Sequence, residues 1–237
     1  MNVCLTRWKS GGQIITPASF CPRCKESISW YDNIPIISFF VLGGKCRHCE
    51  KAISLQYPVV ETMTAFLFFL SSCCFLKESL FLLITSFFFV SFLVLLSTCD
   101  FQWRLLPHLF NNLFILAGLF INVFRFPLLP SVIFTTISGF IIMGSIIFGL
   151  FLFFSNGLGG GDIKMVAGLA LWMGLLNATY VLIFACVTAS FFFFLKAIKR
   201  KRVQWKELIP FGPYLAIGAL LFWFFPGLEG DFLKWVH

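Results

Sequence analysis

Apolar stretches close to the length needed to cross a bilayer follow one another almost without interruption after residue 56. The hydrophobic pattern predicts seven membrane-spanning helices, of which the fifth is short. Their predicted ranges are 57–76, 79–99, 109–126, 130–154, 164–176, 178–196 and 209–226. The pattern therefore predicts an all-α polytopic membrane protein.

The composition agrees with a chain that lies largely within a lipid bilayer. Hydrophobic residues make up 59% of the 237 positions, 34 are Phe, and only 12% are charged. So few polar residues cannot cover a single water-soluble core. Residues 1–19 lack an apolar core of the length that a cleavable signal sequence requires.

The positions of Lys and Arg predict the orientation of the helices. If the spans alternate from a cytoplasmic N-terminal region, 15 of the 18 basic residues fall on the cytoplasmic side, and Lys77, Arg125 and Lys234 on the other. This is the positive-inside bias, so the net charge of +8 reports topology and a nucleic-acid partner is the weaker interpretation. Three regions follow: a cytoplasmic polar domain over 1–56, a transmembrane bundle over 57–226 and a short non-cytoplasmic tail over 227–237.

Two C-x2-C pairs stand in the polar domain, separated by 21 residues. Four thiolates in this arrangement are typical of a structural zinc site, since two tight turns can each offer two sulfurs to one tetrahedral ion. The predicted ligands are Cys21, Cys24, Cys46 and Cys49. Two disulfides or a redox pair are the alternatives, which a reducing cytoplasm disfavours.

Two of the four aspartates stand at span boundaries. Asp100 ends a span that runs toward the cytoplasm and Asp162 opens one that leaves it, so the topology predicts both at the cytoplasmic edge of one bundle. Paired carboxylates can divide acid and base roles in peptide hydrolysis. The alternative is that each aspartate caps or ends a helix, a role that Asp162 would fill well after Gly159, Gly160 and Gly161.

The three glycines do not match a phosphate-binding loop, because the required spacing is missing and an aspartate at the helix start would repel an anion. Glycine also lets another backbone approach closely, which would suit an extended peptide beside a carboxylate.

Several motifs together, in this order, resemble the type IV prepilin leader peptidases, membrane aspartic proteases with a GxGD motif. The resemblance covers nearly the whole chain, from Asn2 to about Ala219. The motifs that carry it are the C-x2-C pairs, "WYDNIP" at 30–35, "YPVVE" at 57–61, Asp100 followed by "LLP" at 105–107, "GGGDIKM" from 159, and "IPFGPYLAIGA" at 209–219.

The resemblance implies an inner-membrane enzyme of bacteria that removes the basic leader of prepilins or pseudopilins at the cytoplasmic face. It assigns catalysis to Asp100 and Asp162, with Gly159 and Gly161 shaping the motif and Lys164 beside it. Family members with the cysteine domain usually also methylate the new N-terminus with S-adenosylmethionine, and Glu61 is the candidate for that site. A buried partner for a basic residue is the alternative role of Glu61.

Two departures from the family pattern bear on these expectations. The chain begins where the family's first membrane helix should be finishing, which suggests a truncated or wrongly started reading frame or a lineage without that helix. This puts the methyltransferase half in question. His108 stands where the family commonly has Asp after Pro. Other function classes also remain: an intramembrane protease of different substrates, a transporter, or a non-enzymatic assembly protein.

Overall fold

The computed structural model describes residues 19–125, 130–153, 159–200 and 210–225. Within these ranges the regular structure is helical, and β pairing is limited to two isolated bridges. The all-α prediction is therefore confirmed. The predicted tail over 227–237 lies outside the described residues.

A 3₁₀ turn over Trp30–Asn33 precedes the α-helices of the described chain. The helices are α1 Ile37–Val41, α2 Gln56–Phe75, α3 Leu80–Trp103, α4 His108–Arg125, α5 Pro130–Phe153, α6 Gly160–Met173, α7 Leu175–Arg200 and α8 Gly212–Phe224. Each of α2 to α8 overlaps one predicted span, and the ends differ by a few residues.

Three helices of the described chain are long and apolar enough to cross a membrane, judged by length and composition. They are Gln56–Phe75, Leu80–Trp103 and Leu175–Lys199. Shorter apolar helices run over His108–Phe124, Thr136–Gly149 and Gly212–Phe224. The chain is therefore a membrane protein.

The chain divides into two compact units, residues 1–79 and 80–237. In the first unit, the backbone N–H of Ile36 donates a 2.9 Å hydrogen bond to the carboxylate of Glu61, which lies in the second turn of α2. Ile36 has φ of 66°, a left-handed conformation that is strained for a β-branched residue. Glu61 thus holds Ile36, the strained residue that follows the "WYDNIP" segment, against α2.

In the second unit, α6 is the central helix. Every residue from Met165 to Met173 is buried, because α4, α5, α7 and α8 all pack against it. Its end contributes Trp172 to a buried aromatic cluster with Phe89, Phe114 and Trp223. The indole of Trp172 also donates a 3.0 Å hydrogen bond to the Phe114 carbonyl of α4.

Glycine allows α4 and α6 to approach each other closely. A Cβ added at Gly118 would lie 2.9 Å from the Trp172 ring, and one at Gly168 would lie 2.8 Å from the Phe114 ring. Since Phe114 is fully buried, neither ring has open space into which to move.

Several helix ends extend beyond the predicted spans, and two of these extensions carry an aspartate. Helix α3 continues to Trp103, past the predicted end at residue 99, and Arg104 terminates it with φ of 51° and an N–H bond to the Asp100 carbonyl. Helix α6 begins at Gly160, before the predicted start at residue 164. Asp100 therefore lies in the last turn of α3 and Asp162 in the first turn of α6.

Candidate active site

Asp100 is held at the N-terminus of α8. Its side chain is buried, with 5% of the residue exposed, and Oδ2 accepts a 2.6 Å hydrogen bond from the backbone N–H of Gly212. Gly212 is the first residue of α8, so the carboxylate faces the partial positive charge of a helix start. A Cβ at Gly212 would lie 2.9 Å from both Cβ and Oδ2 of Asp100, so a larger residue would displace this carboxylate.

Asp162 is the third residue of α6, and its two carboxylate oxygens have different surroundings. Oδ2 accepts a 3.2 Å hydrogen bond from the backbone N–H of Gly159, the N-cap residue. Oδ1 is buried and has no hydrogen-bond partner among the described residues. Asp162 thus supports the helix start from the third helical position, not as the N-cap residue that the capping alternative predicted, and its other oxygen has no such role.

Asp100 and Asp162 lie in the same compact unit although 62 residues separate them in the sequence. The negative charge of Asp100 reaches the carboxyl group of Asp162, so the two groups interact electrostatically. Two acidic groups that interact inside a helical bundle can share a proton, which is the requirement for an acid/base pair.

The three glycines before Asp162 differ in their surroundings. Gly161 must be small, because a Cβ there would lie 2.5 Å from the Cβ of Leu106. Gly159 and Gly160 are exposed, and a Cβ at Gly160 would meet nothing within 4 Å. Gly161 therefore allows close packing of the "LLP" segment, and Gly160 borders open space.

Asn111 of α4 holds the same turn from the other side. Its Nδ2 donates a 3.0 Å hydrogen bond to the carbonyl of Gly161, the residue before Asp162. Asn111 is fully buried, and its Oδ1 has no partner among the described residues. A second amide, that of Asn122, joins α4 to the opposite end of α6 by a 2.6 Å bond to the Leu171 carbonyl.

Lys164 extends toward α4. Its Nζ lies 3.5 Å from Nδ1 of His108 and 3.4 Å from Oδ1 of Asn112, both at exposed positions. His108 therefore contacts the lysine that follows the GxGD motif, at the position where the family commonly has Asp.

The first unit contains the four cysteines predicted to bind zinc, and their sulfurs lie within 4.8 Å of one another. The Sγ atoms of Cys21 and Cys49 are 3.9 Å apart. Tetrahedral zinc with sulfur ligands requires sulfur separations of about 3.8 Å, so the four thiols fit this ion. No disulfide joins the cysteines in the described part of the chain.

The two C-x2-C turns have the same backbone pattern. In each, the N–H of the first cysteine donates to the carbonyl five residues later, Glu26 for Cys21 and Lys51 for Cys46, at 2.9 Å. In each, the residue after the second cysteine has a left-handed φ, 64° at Lys25 and 55° at Glu50. The cluster is thus built from two equivalent turns.

Backbone N–H groups in these turns favour the thiolate form of the first cysteine. The N–H of Cys24 lowers the pKa of Cys21 to about 6, against the opposing effect of burial. The N–H of Cys49 likewise lowers the pKa of Cys46. A bond from the N–H of Glu26 favours the Cys24 thiolate, but burial and the neighbouring sulfurs raise its pKa to about 11. A metal ion bound to all four sulfurs must therefore displace protons.

An ion pair ties the 3₁₀ turn to the second cysteine turn. The guanidinium of Arg47 donates two hydrogen bonds to the carboxylate of Asp32, at 2.7 and 2.8 Å. The Arg47 hydrogen bond lowers the pKa of Asp32, outweighing the opposing effect of burial. The Asp32 carboxylate therefore forms its ion pair within the cysteine domain.

Sequence reasoning missed Gly212 and Asn111 as individual residues of the site. Gly212 could have been found only through the "IPFGPYLAIGA" motif, which carried the family resemblance without indicating what the glycine contacts. For Asn111, the sequence offered a polar amide side chain within an otherwise apolar span, which does not indicate a particular contact.

Comparisons with known proteins match two consecutive segments of the chain to two different domain families. Residues 1–75 match the Bacterial Peptidase A24 N-terminal domain, and residues 87–194 match the Type IV leader peptidase family. A "Prepilin leader peptidase/N-methyltransferase" of Burkholderia pseudomallei strain 1026b is 31% identical over 215 residues, covering 90% of this chain and 68% of the relative. The protein of the same name from Vibrio cholerae is 31% identical over 212 residues, covering 87% and 80%.

The chain belongs to the type IV leader peptidase family. The A24 N-terminal domain match includes the four cysteines and Glu61, and the leader peptidase match includes Asp100 and Asp162. A relative from Escherichia coli strain H10407, 32% identical over 210 residues, is named "Type 4 prepilin-like proteins leader peptide-processing enzyme"; the match covers 86% of this chain and 74% of the relative. No solved structure matches the chain.

Membership of the leader peptidase family identifies the chain as a membrane peptidase. Gly212 and α8 lie beyond the residues matched to the Type IV leader peptidase family.

Proposed function

We propose that the chain cuts the basic leader from type IV prepilins or pilin-like precursors, using Asp100 and Asp162 as the catalytic pair. The observation that carries this proposal is the electrostatic interaction of Asp100, at the end of α3, with Asp162, at the start of α6, whose buried Oδ1 has no partner among the described residues. Membership of the leader peptidase family and the names of the relatives support the substrate class.

In the proposed reaction a water molecule lies between the two carboxyl groups and attacks the scissile carbonyl carbon. One carboxylate accepts a proton from the water while the protonated neighbour donates a hydrogen bond to the carbonyl oxygen. The proton then passes to the leaving amine as the peptide bond breaks. The bond from Gly212 fixes Asp100, and Oδ1 of Asp162 is available to the water.

The substrate backbone is proposed to lie extended beside Gly159 and Gly160. Both glycines are exposed, and the space next to Gly160 is open. Because the N–H and the carbonyl of Gly159 already bond to Asp162, the glycines are proposed to give the peptide room beside the carboxylate. The expected cut lies just before the hydrophobic helix of the precursor.

The charge pattern supports a cytoplasmic position for this site in the bacterial inner membrane. Most of the basic residues fall on the side that carries the cysteine domain, Asp100 and Asp162 when the predicted spans alternate. A basic leader would itself be retained on that side by the same bias.

The first unit is proposed to bind one structural zinc ion through Cys21, Cys24, Cys46 and Cys49. Zinc coordinated by four thiolates holds two turns together and leaves no position for a substrate. The domain that it stabilises is proposed to serve the methylation of the new N-terminus by S-adenosylmethionine, as the relatives' names suggest. Glu61 supports the "WYDNIP" segment of that domain through Ile36.

Methylation is tested by incubating the purified protein with a processed pilin and S-adenosylmethionine labelled in its methyl group. Transfer of label to the pilin N-terminus, reduced in Glu61→Ala because alanine cannot accept the bond from Ile36, is the expected result. No transfer by the unsubstituted protein, while cleavage proceeds, would show that this chain has only the peptidase activity.

Cleavage is tested with a purified type IV prepilin and the full-length protein in detergent. Asp100→Asn and Asp162→Asn should each lose cleavage, because an amide can neither accept the proton nor share it. Glu78→Gln makes the same carboxylate-to-amide exchange at an exposed loop position and should retain it. Normal cleavage by either aspartate variant would exclude the proposed pair and favour a non-enzymatic role for the bundle.

A further inference from the structure

Asn111 is a buried amide whose hydrogen bonding is only half satisfied. Its Nδ2 donates to the Gly161 carbonyl at 3.0 Å, while its Oδ1 is buried without a partner among the described residues. Native proteins rarely leave such an oxygen unpaired, because its desolvation is not compensated. The unpaired oxygen offsets part of the stability that the Nδ2 bond gives the bundle, so packing alone does not account for an amide here.

The carbonyl that Asn111 contacts belongs to the residue next to Asp162. Gly161 lies between the Asn111 amide on one side and the Leu106 backbone on the other, and its missing side chain permits both contacts. A hydrogen bond to this carbonyl fixes the orientation of the Gly161–Asp162 peptide. The direction in which the Asp162 side chain leaves the helix depends on that peptide.

We propose that Asn111 is a positioning residue for Asp162. Its Nδ2 holds the first turn of α6 so that Oδ1 of Asp162 faces the reacting water. The inference rests on the proposed function of Asp100 and Asp162, and adds the residue that sets the geometry of the second carboxylate.

Asn122 provides a matched control on the same two helices. Its Nδ2 also joins α4 to a backbone carbonyl of α6, that of Leu171, at 2.6 Å. This contact lies at the other end of α6, ten residues from Gly161 in the sequence. Loss of either amide removes one bond between α4 and α6. Only the Asn111 bond is made to the residue that precedes Asp162.

The test compares Asn111→Leu and Asn111→Ala with Asn122→Leu, in full-length protein that cleaves a purified type IV prepilin. Leucine and alanine both remove the donor and the unpaired oxygen, leucine with a larger side chain than asparagine and alanine with a smaller one. For each variant, kcat and KM are measured together with the midpoint of thermal unfolding in the same detergent.

Both Asn111 variants should lower kcat about 100-fold with KM changed less than about threefold, because a small displacement of a catalytic group affects the reaction and not substrate binding. Asn111→Leu should unfold at or above the temperature of Asn122→Leu, which should keep a normal kcat.

Three results would overturn the proposal: a normal kcat in Asn111→Leu, a normal kcat in Asn111→Ala, or activity losses in Asn111→Leu and Asn122→Leu that follow their loss of stability. Asp100→Asn and Asp162→Asn are measured in parallel. If they retain cleavage, the proposed function itself fails; if they are inactive while Asn111→Leu is normal, only the positioning role fails.

Discussion

Gly212 is the residue whose size most directly controls the geometry of Asp100. A Cβ at this position would lie 2.9 Å from Cβ and Oδ2 of the aspartate, closer than such atoms approach in proteins. Gly212→Ala should therefore displace the carboxylate and lower the rate of prepilin cleavage at least about tenfold.

Gly149→Ala is the control for this substitution. A Cβ at Gly149 meets nothing within 4 Å, and alanine is the better helix former inside α5. The two variants are compared by initial cleavage rates at equal concentrations of folded protein. Equal rates in Gly212→Ala and the unsubstituted protein would contradict the claim that the size of residue 212 controls the geometry of Asp100.

At the residue scale, the sequence indicates which side chains carry charge but not which neighbouring residues position those side chains. Asp100 and Asp162 stand out because carboxylates are scarce in an apolar chain and costly at membrane depth. Asn111 and Gly212 do not, since a lone amide or glycine in a span has many structural uses. Their roles depend on contacts with residues 50 and 112 positions away in the sequence.

The proposed zinc binding by the two cysteine turns can be tested independently of peptide cleavage by the bundle. Zinc bound to four thiolates should be present at one ion per chain, and Cys24→Ser or Cys49→Ser should reduce it because a hydroxyl is a poor zinc ligand. Cys73→Ser changes an exposed cysteine outside the cluster and should keep full occupancy. Metal content is measured on purified protein; a folded, metal-free preparation would exclude the zinc site.

At the scale of elements, hydrophobicity predicts the existence of helices better than their ends. Each of the helices α2 to α8 was expected as a span, but α3 and α6 extend beyond the apolar stretch to include Asp100 and Asp162. These ends are set by backbone conformation at Arg104 and Gly159. A hydrophobic window cannot detect them, because the determining residues are not apolar.

At the scale of the whole molecule, the charge pattern predicts which side of the membrane each loop occupies. Alkaline phosphatase folds only outside the cytoplasm, since its disulfides form there. A fusion after Glu78 should therefore be active and a fusion after Arg104 inactive, in bacteria that express the chain. The reverse pattern would place the two aspartates on the non-cytoplasmic side and contradict the proposed site of leader removal.

The central claim is that Asp100 and Asp162 act as one catalytic unit. Residues that act as a unit are strongly non-additive, because the loss of either partner removes the function of both. The most direct measurement is therefore the kcat of prepilin cleavage by Asp100→Asn, by Asp162→Asn and by the double variant, each corrected for folded protein. We expect all three rates to fall to the same residual level. A double variant that is slower than each single variant by the product of their separate effects, or a single variant with normal kcat, would contradict the paired mechanism.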